Sequence, residues 1–76
     1  MPKQHQFYPE EIERLEKAWR EMVERRSAGT GSAWGDHYIL VGILRDCGVE
    51  AEFESSSQVE NYVEYVITYG KGPDIY

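Results

Sequence analysis

The chain has 76 residues, with 14 Asp and Glu against 8 Lys and Arg, for a formal charge of −6. This length holds one small core and excludes a two-domain active-site cleft, and 41% apolar with 13% aromatic content excludes a disordered polyelectrolyte. The acidic balance argues against a direct nucleic-acid reader, which neutralises phosphates with clustered Lys and Arg, and is compatible with binding to a basic surface.

Residues 1–8 read as a flexible segment or an edge strand. The opening MPKQHQFYPEE has no apolar stretch of the secretory type, and the longest apolar run, Tyr38–Leu44, is far shorter than the roughly 20 residues of a spanning helix. A cytoplasmic protein without membrane contact is therefore expected. Removal of Met1 would expose the secondary amine of Pro2, the catalytic base of small tautomerases. That family begins its first apolar strand at the proline, whereas Pro2 here opens the polar run Lys3-Gln4-His5-Gln6.

The first helix is expected from Pro9 to about Arg26. Ile12, Leu15, Trp19, Met22 and Val23 fall on one face of a 3.6-residue period. Pro9 suits the first turn, the glutamates crowd the N-terminal end, and Arg25 and Arg26 sit in the last turn where the helix dipole favours them. Glu10–Arg14, Glu13–Lys17, Glu16–Arg20 and Glu21–Arg25 have i,i+4 spacing, so the charged face reads as self-compensating and solvated.

Residues 27–35, SAGTGSAWG, read as a linker. No Gly-Lys-Ser/Thr follows and no strand precedes, so a phosphate loop is not supported. Trp34 within this segment either caps the core or stands out as an anchor for a partner.

Residues 37–54 decide the fold class, and two readings are locally consistent. In one, Tyr38–Leu44 is a β-branched strand, Asp46-Cys47-Gly48 turns, and Val49–Glu54 alternates at period two with all three glutamates on one face. In the other, Asp36 caps a core helix that ends at Cys47, with Gly48 at C′ and Val49 folding back on Leu44 in a Schellman motif. The hairpin is preferred. Ile39, Val41 and Ile43 around Gly42 make a poor helix, and an alternating strand needs a neighbour.

Ser57 and Glu60 have capping-box spacing, and Val59, Tyr62, Val63 and Val66 form a helical stripe reaching about Tyr69. Gly70 then ends the helix and residues 70–76 form a tail. The expected fold is a single α+β domain over residues 1–76, helix–hairpin–helix, with an all-α three-helix domain as the alternative. A two-stranded sheet is marginal alone, so Lys3–Tyr8 or a second copy would complete the layer.

Chemistry-bearing residues are sparse. His5, His37 and Cys47 do not make a metal set, and Asp36 beside His37 is a weak dyad. No catalytic residue, metal or cofactor is expected, with Pro2 or His37 a remote enzymatic alternative. Charge position is more telling: residues 27–76 hold eight acidic residues against two basic ones. Glu50, Glu52 and Glu54, with Glu60 and Glu64 on the following helix, form the candidate binding charge, and Trp34, Tyr65 and Tyr69 are the candidate anchors, with Tyr76 nearby in sequence. The expected function is a non-enzymatic acidic module, an inhibitor or accessory factor that docks on a basic site of a larger nucleic-acid-handling protein. By analogy of size and charge alone, phage-encoded inhibitors of host defence such as anti-CRISPR proteins use this strategy. The competing expectation is a small homodimeric structural subunit whose acids only solubilise it.

Overall fold

A computed structural model of the chain describes residues 5–73. Three helices follow one another: α1 (Pro9–Ser27), α2 (Ala33–Asp46) and α3 (Ser56–Tyr69). The α+β expectation is therefore overturned. Among the described residues there is no sheet, only an isolated antiparallel bridge between Gln6 and Lys71.

Helix α1 starts as its sequence dictates. Pro9 occupies the first turn, and the Glu11 carboxylate accepts a hydrogen bond from the Tyr8 backbone N–H at 2.9 Å. Leu15 and Met22 are buried, with Ile12, Ala18 and Trp19 packed around the core. Val23 departs from the expected stripe and is 47% exposed. At the other end Gly29 takes φ +72°, and Thr30 N–H returns to the Arg25 carbonyl at 2.9 Å, closing a Schellman motif.

The segment preferred as a hairpin is helix α2. Its cap is Ser32, whose hydroxyl accepts from Gly35 N–H at 3.1 Å, four residues before the Asp36 cap of the helical alternative. The linker shrinks to residues 28–32, and Trp34 belongs to the first turn of α2. The end is as the helical alternative required. Gly48 N–H donates to the Arg45 carbonyl and Val49 N–H to the Leu44 carbonyl, both at 3.0 Å, with Gly48 at φ +89° and Val49 buried.

Strand propensity lost here because α2 packs on both other helices and buries Leu40, Ile43 and Leu44. Each buried aliphatic side chain contributes about 1.5–3 kcal/mol, against a few tenths of a kcal/mol per residue from the poor helix propensity of Ile and Val. A helix also satisfies its own backbone, so no neighbouring strand is needed.

Residues 49–54 keep the period-two pattern without a sheet. Val49 is buried, Ala51 and Phe53 lean on the core, and Glu50, Glu52 and Glu54 face outward. Phe53 meets Tyr62 edge-on at 5.4 Å between ring centroids. The cap of α3 is Ser55, two residues before the expected Ser57: its hydroxyl accepts from Gln58 N–H at 3.3 Å, and the Gln58 side chain accepts from Glu54 N–H at 2.8 Å. Val59, Tyr62, Val63 and Val66 form the expected buried stripe, and Gly70 at φ +77° ends the helix.

The two ends of the described chain lie together. Gly72 N–H donates to the His5 carbonyl at 2.8 Å, and Phe7 is buried beside them. The pairing partner of the N-terminal segment is thus the C-terminal tail, not a hairpin. Lys3, and Pro2 with its tautomerase reading, lie outside the described residues, as does Tyr76.

Candidate protein-binding surface

The eight residues expected to bind a partner separate into four places. Glu50, Glu52 and Glu54 are exposed along the segment joining α2 to α3. None of the three has an ion-pair partner among the described residues. An alternating chain spaces such side chains about 6.5–7 Å apart, roughly twice the 3.4 Å axial rise per nucleotide on one duplex strand.

Glu64, Tyr65 and Tyr69 lie together on the outer face of α3. With Asn61 and Thr68 they line a shallow depression of about 260 Å³. Tyr65 and Tyr69 meet one turn apart with ring centroids at 4.5 Å and their planes tilted by 45°, and Tyr69 is 63% exposed. Asn61 and Thr68 were not singled out from sequence. Their signal is the spacing 61, 64, 65, 68, which is the face opposite Val59, Tyr62, Val63 and Val66. Glu64 sits roughly 12 Å along the helix from Ser56 at 1.5 Å per residue.

Trp34 does not join this group. It is 65% exposed on α2, in an aromatic cluster with His37 (5.7 Å) and Tyr38 (6.3 Å).

Glu60 is not the uncompensated acid expected from its sequence neighbours. Arg26 reaches from the end of α1 and donates from Nη1 and Nη2 to Glu60 Oε1 and Oε2 at 2.9 and 3.0 Å. The same guanidinium donates from Nε to Asp36 Oδ2 at 3.3 Å, and Arg25 Nη2 donates to Asp36 Oδ1 at 2.7 Å. Asp36 is only 2% exposed, so a buried carboxylate is held between two arginines. The hydrogen bond to Glu60 is the main reason the Arg26 guanidinium pKa is raised further, against a smaller opposing effect of burial.

The i,i+4 pairs expected along α1 give way to cross-helix contacts. Arg14 meets Asp46 at 3.2 Å, and Arg25 turns to Asp36. None of the four expected pairs is among the ion pairs of the described residues. The cationic end of α1 thus ties the bundle together.

Asp36 and His37 do not form the dyad that their adjacency in sequence suggested. Both oxygens of Asp36 are occupied by arginines, and His37 Nδ1 is buried with no hydrogen-bond partner. Cys47 is equally unpromising as a nucleophile, because burial, helped by the nearby Glu11 carboxylate, pushes its thiol up to about 11. Among the described residues no group of three or more His, Cys, Asp or Glu is placed to hold a metal ion, and no helix is long and apolar enough to cross a membrane. No family model matches the chain, and neither does any curated protein or solved structure.

Proposed function

We propose that the chain is an acidic protein-binding module that occupies a positively charged site on a nucleic-acid-handling protein. The observation that carries this reading is the line of Glu50, Glu52 and Glu54, held outward by the burial of Val49 and the packing of Ala51 and Phe53, with no ion-pair partner among the described residues. The rest of the electrostatics supports it. Asp36, Asp46 and Glu60 are paired with α1 arginines, and the unpaired glutamates of α1 each have an Arg or Lys within four residues along the chain, whereas Glu50, Glu52 and Glu54 have none. Complementary charge then steers the encounter and sets specificity. Glu64 adds a further acid beside the paired rings of Tyr65 and Tyr69, which offer contact area with polar tips.

The test is charge reversal on an intact scaffold. Glu50→Lys, Glu52→Lys and Glu54→Lys together remove the acidic line while leaving every described ion pair in place. Capture of a nucleic-acid-binding partner from the source cell is expected to collapse, with helical circular dichroism unchanged. Undiminished capture by the folded triple variant would reject the reading.

A further inference from the structure

We infer that the outer face of α2 is a self-association surface on which two copies of the chain pair antiparallel, with Tyr38 of each seated over Gly42 of the other. Helix α2 is apolar on both sides. Its inward stripe is Asp36, Leu40, Ile43 and Leu44, with Val41 leaning on the core beside them, and the opposite stripe is Trp34, Tyr38, Gly42 and Arg45, all exposed. Trp34 and Tyr38 on that stripe are 65% and 70% exposed.

Gly42 has no explanation within one copy. It is exposed in the middle of a helix, where alanine would be more stable, and a Cβ built on it meets nothing within 4 Å. It has helical backbone, unlike Gly29, Gly48 and Gly70 with their positive φ. What it provides is a gap in the side-chain surface, one turn after the large exposed ring of Tyr38. A knob and a hole one turn apart on the same stripe are complementary to themselves about a two-fold axis passing midway between them.

The same axis brings Trp34 of one copy to Arg45 of the other, within one residue of the same register. Arg45 has no carboxylate partner among the described residues, and a guanidinium over an indole face is a favourable pair. Charge selects this face for a second copy of an acidic chain. The α2 stripe carries Arg45 as its sole charged side chain, whereas residues 50–54 would set glutamate against glutamate. The paired stripe Trp34–Arg45 is about 18 Å long at 1.5 Å per residue, which gives an interface at the small end of the range, where weak and reversible association is found.

Sedimentation equilibrium of the whole chain from about 5 to about 500 µM tests this. A monomer–dimer equilibrium is expected, weakened at least about tenfold by Gly42→Gln and by Tyr38→Glu. Gly42→Gln replaces glycine with a better helix former, so it separates loss of pairing from loss of folding. The Glu50, Glu52 and Glu54 reversal is expected to leave the dimer intact. A chain that stays monomeric throughout, including one that uses Trp34 to bind a different protein, would overturn the inference. So would a dimer indifferent to both α2 substitutions, or one lost on reversal of the glutamates.

Discussion

Arg26 grips Glu60 with both terminal nitrogens, at 2.9 and 3.0 Å, while its Nε holds the buried Asp36 at 3.3 Å. One side chain at the end of α1 therefore fastens both α2 and α3. Its two contacts differ in burial, and that difference sets their energetic weight. Asp36 is 2% exposed, whereas the Glu60 side chain retains contact with water.

Removing the buried carboxylate should cost more than removing the exposed one. Asp36→Ala is expected to lower unfolding stability by about 2–4 kcal/mol, since it deletes two charge-assisted hydrogen bonds in a buried site. Glu60→Gln should cost under about 1 kcal/mol. Urea unfolding of the two variants gives the comparison, and equal effects would show that the clamp does not organise the bundle.

Two glycines should respond to alanine with opposite signs. Gly48 sits at φ +89° in the turn after α2, where a Cβ is strained, so Gly48→Ala should destabilise by about 1 kcal/mol or more. Gly42 is helical with open space around it, so Gly42→Ala should stabilise the monomer by about 0.5–1 kcal/mol. Thermal unfolding at low protein concentration measures both. This pair also separates helix from hairpin, because in a strand Gly42 would show no helix-propensity gain.

How far these features were legible in the chain depended on whether their cause was local. Helix α1 was readable from Pro9, the glutamates near its start and the Leu15–Met22 spacing, and α3 from its valine stripe. The outward glutamates were also readable, because alternation follows from backbone geometry alone. Residues 37–47 were not, since Ile39, Val41 and Ile43 favour strand locally and only contact with both other helices makes α2 the better solution. The Gly48–Val49 Schellman closure was the local signal that agreed with the helix. The Arg25–Asp36–Arg26 clamp depends on how α1 and α2 meet. Nearest-neighbour pairing along α1 pointed to Glu21 for Arg25, while the carboxylate that receives it lies eleven residues on.

The thiol of Cys47 should be slow to react. With its pKa raised from 9.0 to about 11, roughly hundredfold less thiolate is present near pH 8 than for an ordinary cysteine. Alkylation by iodoacetamide should be slowed accordingly in the folded protein and restored in guanidinium. The same shift bears on stability. A folded pKa above the unfolded one favours folding fully below about pH 9 and loses that contribution as pH rises towards 11. Tyr62, also raised by burial, acts in the same direction. Chemical unfolding should therefore show declining stability across this alkaline window, with a shallower decline in Cys47→Ala.

The most direct measurement is the salt dependence of partner binding, with nucleic acid as competitor. Immobilised wild-type chain should retain a nucleic-acid-binding protein at low ionic strength and release it as salt rises, because interactions between exposed charges are screened beyond about 8 Å at physiological strength. Duplex DNA or RNA should displace it, and the Glu50, Glu52 and Glu54 reversal should bind nothing at any salt. A partner held equally at high salt, undisturbed by nucleic acid and captured by the reversed variant, would contradict docking through this acidic line.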